Sequence, residues 1–116
     1  TWDEMSAVGI TEDSTLGFAD RCGFRCGTCR PFPVFSLTEE CLLPLHEYPL
    51  LIMDVTLWSY MRLAPSEAFA YVERYAAYVK RYGGVFVLLW HNFCCDEWRW
   101  RSFYKKTVRY LRNFLK

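Results

Sequence analysis

Residues 83–92 decide the expected fold, and they read Gly83-Gly84-Val85-Phe86-Val87-Leu88-Leu89-Trp90-His91-Asn92. The paired glycines are typical of a helix end, and residues 85–90 have no polar face to show to water. This pattern predicts a strand that is covered on both faces in a parallel sheet. Such sheets bind ligands at the carboxyl ends of their strands, which makes His91 and Asn92 candidate site residues. A partly buried histidine with satisfied hydrogen bonds remains the alternative for His91.

The segments before Gly83 complete a strand–helix–strand unit. Residues 65–82 begin with Pro65 and keep apolar side chains at helical spacing, so they predict an amphipathic helix. Residues 50–58 form a second strand-like run in which Asp54 is the only charge. A carboxylate in such a run needs a partner or a polar cleft. Together these segments predict a parallel crossover unit.

The two ends of the chain are helical in the sequence pattern. Thr1 and Glu4 have the spacing of a capping box, and Gly9 is typical of the end of that first short helix. Residues 100–116 predict a closing helix with one apolar and one basic face, preceded by a loop that includes Trp98. A basic amphipathic helix can bind a membrane surface, but the pattern favours a solvated outer helix. Residues 10–33 lack periodicity and are interpreted as an ordered loop that lines a pocket.

Composition limits the classes of function. The chain has 116 residues and a net charge of +1, which predicts one domain and no nucleic-acid partner. Hydrophobic residues make up 53% of the chain and aromatic residues 19%, so part of the apolar surface is expected to face a partner or a missing half. The apolar runs fall short of the ~18 residues of a membrane span, which predicts no integral membrane protein.

Six cysteines leave several chemistries open. The spacing Cys22-x-x-x-Cys26-x-x-Cys29 could hold an iron–sulfur cluster or part of a zinc site, with Cys41 or His46 as a further ligand. The abundant apolar material argues against a disulfide-stapled scaffold and favours reduced thiols, which leans towards a cytoplasmic location. Cys94 and Cys95 are adjacent and are interpreted as small buried apolar residues.

Three blocks of sequence carry a resemblance to a known family. They are residues 13–32, ending in Gly23-Phe24-Arg25-x-Gly27-Thr28-Cys29-Arg30-Pro31-Phe32, then Leu45-x-Glu47-x-Pro49-Leu50 with Met53-Asp54, and Val87-Leu88-Leu89-Trp90-His91-Asn92. Together they resemble the C-terminal half of a polysaccharide deacetylase-like protein of carbohydrate esterase family four. The resemblance covers nearly the whole chain.

The resemblance implies an α/β fold that is a partial (β/α) barrel, with parallel strands and crossover helices, over a single partial domain of residues 1–116. In that family a divalent metal, usually zinc, is held by an aspartate and two histidines and activates water against an acetyl carbonyl. By motif, His91 would protonate the leaving group, and Asp54 matches a later aspartate. Arg25, or as a second choice Arg30, would be the arginine that steadies the catalytic base. Expected substrate contacts are Asp13, Phe24, Phe32 and Asn92.

The chain also departs from the family. The early Asp-Asp and His-x-x-x-His motifs would lie upstream of Thr1, and Asn92 stands where an aspartate often follows the histidine. The expected function is therefore that of a fragment or truncated relative of a metal-dependent polysaccharide deacetylase-like hydrolase, acting on a glycan and inactive alone. No metal ligands are expected in this chain, and zinc is expected in a full-length relative.

Two other functions stay open from the sequence. One is a non-catalytic carbohydrate-binding or structural domain that uses the aromatic-rich loop, and the other is a cysteine-ligated metal domain. The unpaired strands of a half-barrel also predict a homodimer formed through the exposed sheet edge.

Overall fold

A computed structural model describes residues 1–92 and 97–116. Its regular elements, in chain order, are α1 (Trp2–Ala7), β1 (Glu12–Asp13), β2 (Phe32–Ser36), β3 (Cys41–Glu47), β4 (Leu50–Met53), a π-helix (Thr56–Tyr60), α2 (Pro65–Tyr82), β5 (Val87–Leu89) and α3 (Trp98–Phe114). The interpretation of Cys94 and Cys95 as buried apolar residues lies outside the described residues.

The strands form two small sheets. In the first sheet the order is β1-β3-β2, with β1 parallel and β2 antiparallel to β3. In the second sheet β4 pairs in parallel with β5. The expected partial (β/α) barrel of parallel strands is therefore wrong. Strands β2 and β3 are joined by residues 37–40, and a link this short permits an antiparallel pair, whereas a parallel pair needs a crossover of a dozen or more residues.

The second sheet confirms the crossover unit that the sequence predicts. Helix α2 spans Pro65–Tyr82 as expected and ends at Gly83, whose φ of 69° is the left-handed conformation that favours glycine. Strand β5 is shorter than the predicted strand over residues 85–90, and it is not covered on both faces. Val85 and Leu89 are each 40% exposed. In a two-stranded sheet β5 has one strand neighbour, so its apolar run meets solvent as well as core.

Strand β4 is likewise shorter than its apolar run. It ends at Met53, and the side chain of Asp54 accepts a hydrogen bond of 2.7 Å from the Val55 N–H. Aspartate side chains that bond the local backbone compete with strand ladders. The chain then continues into the π-helix, which ends the predicted strand five residues early.

The main core lies between the two-stranded sheet and helices α2 and α3. It contains Leu51 and Ile52 from β4, Val72 and Val79 from α2, and Phe103 from α3, all at most 3% exposed. The closing helix is thus confirmed, with its apolar face against the core, although it begins at Trp98, which the sequence places in the preceding loop. Within the described ranges 1–92 and 97–116, no helix combines the length and the apolar character that a bilayer span requires.

The loop over residues 14–31 is ordered by backbone contacts with the second sheet. The Leu50 N–H donates to the Leu16 carbonyl at 3.0 Å, and the Gly23 N–H donates to the Leu51 carbonyl at 3.1 Å. Farther along the loop, the Val85 N–H donates to the Cys29 carbonyl at 2.8 Å. The loop lines a cavity of about 300 Å³, which confirms the interpretation of an ordered, pocket-lining loop.

Candidate functional site

The second sheet brings Asp54 and His91 together at one edge. Met53 and Leu89 are paired across the parallel ladder, so the residues that follow β4 and β5 leave the sheet on the same side. The Asp54 Oδ1 atom lies 2.7 Å from the His91 Nδ1 atom, and Asp54 Oδ2 accepts the His91 backbone N–H at 2.5 Å. Asp54 therefore has the partner that a buried carboxylate needs.

The surroundings of Asp54 fix how the imidazole is held. The Asp54 side chain is fully buried and accepts the backbone N–H groups of Val55 and His91. An ionised carboxylate only accepts hydrogen bonds, so the third contact assigns the proton to His91 Nδ1. In this tautomer Nε2 carries the lone pair of the ring. The His91 side chain is 39% exposed.

A buried carboxylate behind a part-exposed imidazole is suited to acid–base chemistry. The carboxylate holds one tautomer and one ring orientation, and it stabilises the imidazolium when Nε2 takes up a proton. Trp90, directly before His91, packs on α3 with its ring 5.6 Å from Phe103 and 5.2 Å from Tyr104, measured between centroids. This packing anchors the end of β5 and so limits movement of the imidazole.

The two candidate arginines bond elsewhere. The Arg25 guanidinium donates to the Gly17 carbonyl at 3.0 Å, beside the start of β4. Arg30 Nε donates to the Tyr82 carbonyl at 2.8 Å, before the start of β5. Both bonds lie near the amino ends of strands β4 and β5, whereas His91 follows the carboxyl end of β5. Val85, which precedes β5, is separated from His91 by roughly 20 Å if the chain between them is extended. The structure thus does not join either arginine to Asp54 and His91, and their catalytic role stays a prediction.

The expected substrate contacts are dispersed. Phe24 packs edge-to-face on Tyr75, with ring centroids 5.4 Å apart, and lines the 300 Å³ cavity. Phe32 begins β2 and pairs with Glu47 in the first sheet. Asn92 is exposed and follows His91, so it is the one of these residues that adjoins the Asp54–His91 pair in the chain. Their roles in substrate binding stay predictions.

Asp13 forms a buried carboxyl pair with Glu47. Glu47 is not among the site residues that the sequence predicts. The two residues are register partners of β1 and β3, and they are 7% and 0% exposed. Asp13 Oδ2 accepts the Trp2 indole N–H at 3.0 Å and the Thr15 hydroxyl at 2.7 Å. Period-two spacing from the buried Leu45 is the signal that could have placed Glu47 on the covered face.

The pKa values of the two carboxyl groups shift in opposite directions. Burial, together with the Asp13 carboxylate, raises the pKa of Glu47 to about 7. The hydrogen bond from the Leu16 N–H acts in the opposite direction but is outweighed. Burial also acts to raise the pKa of Asp13, but the hydrogen bonds that Asp13 accepts outweigh it and lower that pKa. Glu47 Oε2 is buried and without a partner among the described residues. A proton on Glu47 gives this oxygen a hydrogen that it can donate to Asp13.

The cysteine triplet does not gather as a metal site in the part of the chain that the structure describes. Over residues 1–92 and 97–116, no three His, Cys, Asp or Glu side chains are placed to hold one ion. Burial raises the pKa of the Cys22 thiol to about 12, and its Sγ contacts Met61 Sδ at 3.9 Å. A thiol that resists ionisation is a poor ligand. The four described cysteines, Cys22, Cys26, Cys29 and Cys41, carry free thiols.

Comparison of the chain with protein-family models, with curated proteins and with solved structures finds no significant match.

Proposed function

We propose that Asp54 and His91 are the acid–base element of a polysaccharide deacetylase-like hydrolase that releases acetyl groups from a glycan. The 2.7 Å contact between Asp54 Oδ1 and His91 Nδ1, at the carboxyl edge of a parallel strand pair, is the observation that carries this proposal. The resemblance of residues 13–32, 45–54 and 87–92 to that family supplies the choice of substrate.

The chemistry assigned to the pair is a proton transfer. When the bond between the acetyl carbon and the leaving oxygen or nitrogen breaks, the His91 imidazolium gives its Nε2 proton to the leaving atom. The attacking water loses one proton to solvent as its oxygen adds to the acetyl carbon, and the released acetic acid loses a second. His91 regains one of these protons, so acetate and the free hydroxyl or amine are the products. Asp54 is a positioning residue, since it holds His91 Nδ1 and does not contact the substrate in this scheme.

The zinc that the resemblance implies does not fit the described residues. Such a metal needs an aspartate and two histidines, and His46 lies exposed on β3 of the first sheet, away from the pair at the end of the second sheet. We therefore assign only the proton transfer to this chain. General acid–base catalysis contributes roughly 10²- to 10⁴-fold in rate, below the roughly 10⁶-fold or more of complete enzymes.

The leaving group provides the test. An alkyl acetate, such as an O-acetylated sugar, releases a poor leaving group that needs a proton, whereas 4-nitrophenyl acetate releases a stable anion. Because the pair by itself supplies acid–base catalysis, the proposal departs from the expectation of an inactive fragment and predicts slow turnover above the uncatalysed rate. We expect His91→Gln to lower this rate of acetate release from the sugar ester by at least about 100-fold, and the rate with the nitrophenyl ester by less than about tenfold. Equal rates for the original protein and the variant on the sugar ester would contradict the proposal.

A second function has one specific observation in its favour. The 300 Å³ cavity is lined by Phe24, Thr28, Arg30 and Tyr82, a mixture of aromatic and polar groups that suits a sugar ring in a non-catalytic binding domain. Calorimetry with neutral oligosaccharides distinguishes the two functions. Binding that Tyr82→Ala abolishes, with no acetate released by either protein, would favour the binding domain.

A further inference from the structure

Helix α3 carries a concentrated positive charge. Residues 98–116 hold seven of the chain's 14 Lys and Arg residues and none of its 13 Asp and Glu residues. Among the described residues, neither Lys106 nor Arg109 forms an ion pair with an acidic side chain. The near-zero charge of the whole chain therefore conceals a strongly basic helix beside more acidic segments, and a local surface of one sign attracts ligands of the other.

Two depressions between α2 and α3 adjoin each other along this helix. One, of about 480 Å³, is lined by residues that include Pro65, Trp98 and Lys106. The other, of about 470 Å³, is lined by residues that include Phe69, Lys106, Arg109 and Asn113. Because they share Lys106, they form one groove, which we call the α2–α3 groove and define by these six residues. It runs for about 22 Å along the fifteen residue steps from Trp98 to Asn113.

The lining of the groove is suited to an anionic sugar chain. Trp98 is 70% exposed and can stack on a sugar ring, while Asn113 can hydrogen-bond hydroxyl groups. The Lys106 ammonium lies 3.7 Å from the Phe69 ring centroid, so one cation is already held against an aromatic wall. Arg109 offers a fork that matches a carboxylate or a sulfate. No acidic side chain lines either depression in the described part of the chain.

We infer that the α2–α3 groove binds an anionic polysaccharide, one that carries carboxylate groups along its length. The inference rests on the proposed function, because it names the class of glycan that the hydrolase would act on. The helix begins close to His91 in the chain and packs against Trp90, so a polymer in the groove leads towards the Asp54–His91 pair.

A membrane surface fits the groove less well. Amphipathic helices bind lipid by inserting their apolar face, and the apolar face of α3 is packed in the core, with Phe103 only 3% exposed. The Lys106 and Arg109 cations and the exposed Trp98 ring can contact a soluble polymer without any rearrangement of the fold.

Polymer binding tests the inference without any need for turnover. We expect the protein to bind polygalacturonate at about 50 mM salt and not to bind neutral dextran. Its affinity for polygalacturonate should fall steeply as the salt concentration rises. The double variant Lys106→Gln/Arg109→Gln should bind at least about tenfold more weakly. Its matched control, Lys105→Gln/Arg112→Gln, removes the same charge from the same helix outside the groove and should change the affinity less than about threefold.

Three results would overturn the inference. They are the absence of polygalacturonate binding, an equal loss of affinity in the two double variants, and tighter binding to single-stranded DNA of equal charge or to phosphatidylserine vesicles. Circular dichroism shows whether each variant keeps its helices. The same titration with His91→Gln separates the two ideas, because polymer binding should survive this change even where acetate release does not.

Discussion

At the scale of single residues, Asp54 combines complete burial with three polar contacts. Its carboxylate is fully buried, and three N–H groups from Val55 and His91 converge on it. Buried charge is costly without such bonds, so the contacts that stabilise Asp54 are also those that orient the imidazole. Stability and the proposed proton transfer thus depend on the same oxygen atoms.

The buried pair of Asp13 and Glu47 makes stability depend on pH. The pKa of Glu47 is raised to about 7 by burial and by Asp13, above the 4.5 of an exposed glutamate, so the folded state binds an extra proton between these values. The free energy of unfolding should therefore fall as pH rises from about 4.5 to about 7.

Glu47→Gln should remove most of that pH dependence. The amide can still accept the Leu16 N–H and can donate to Asp13 at every pH, as Glu47 can only when protonated. At about pH 8 we expect the variant to be more stable than the original protein by roughly 2 kcal/mol, while the two should be similar near about pH 4. Urea unfolding at both pH values measures this, and a stability gap that is the same at both would refute the assignment.

At the scale of elements, the turn between α2 and β5 joins the loop to the second sheet. A Cβ atom on Gly84 would overlap the Cys29 Sγ atom and lie 2.5 Å from the Cys29 carbonyl oxygen. That carbonyl accepts the Val85 N–H, so a side chain at position 84 would push the loop away from the start of β5. The close approach of two backbones explains the glycine here.

Gly84→Ala and Gly83→Ala form a matched pair for this turn. At Gly83 an added Cβ meets Arg30 Nη2 at an ordinary 3.5 Å, so the cost is only the positive φ, about 1 kcal/mol. At Gly84 the overlap with Cys29 should cost about 3 kcal/mol. Denaturant unfolding compares the two, and a cost at Gly84 no larger than at Gly83 would show that the loop does not lie against this turn.

At the scale of the whole molecule, Phe103 links both helices and the end of β5. Its ring centroid lies 6.4 Å from Phe69 of α2 and 5.6 Å from Trp90. Phe103→Ala should lower the free energy of unfolding by about 3–5 kcal/mol, because a large cavity would remain in the core. Val108→Ala, on the same helix but 44% exposed, should cost less than about 1 kcal/mol. Thermal unfolding of the two variants checks the contrast, and similar melting temperatures would argue against α3 as part of the core.

The expected homodimer stays a prediction at the same scale. Strand β5 pairs with β4 alone among the described strands, and Leu89 is 40% exposed at its end. An apolar strand with an open edge favours pairing with a second copy. Sedimentation equilibrium should give about twice the monomer mass of 13.8 kDa, and a mass that stays at the monomer value as concentration rises would count against the dimer.

Local pattern alone determined helices α1, α2 and α3 and the candidate residues of the Asp54–His91 pair, but not the π-helix at Thr56–Tyr60. The caps at Thr1 and Gly83 and the Pro65 start depend on neighbours within one or two turns, so their positions are legible in the chain. The lone charge of Asp54 in an apolar run and the place of His91 after another run marked both as unusual. A carboxylate in such surroundings must find a partner wherever the chain leads.

Only the tertiary structure decided which partners meet. The pairing of Met53 with Leu89 sets Asp54 beside His91, while the guanidinium groups of Arg25 and Arg30 donate to backbone carbonyls at the opposite ends of the strands. Sheet order and strand direction follow from contacts between residues far apart in the chain. An apolar run does not indicate how many strands or helices will pack against it. For this reason the run at residues 85–90 suggested a strand covered on both faces of a parallel sheet, whereas the folded chain uses three of its residues at the edge of a two-stranded sheet.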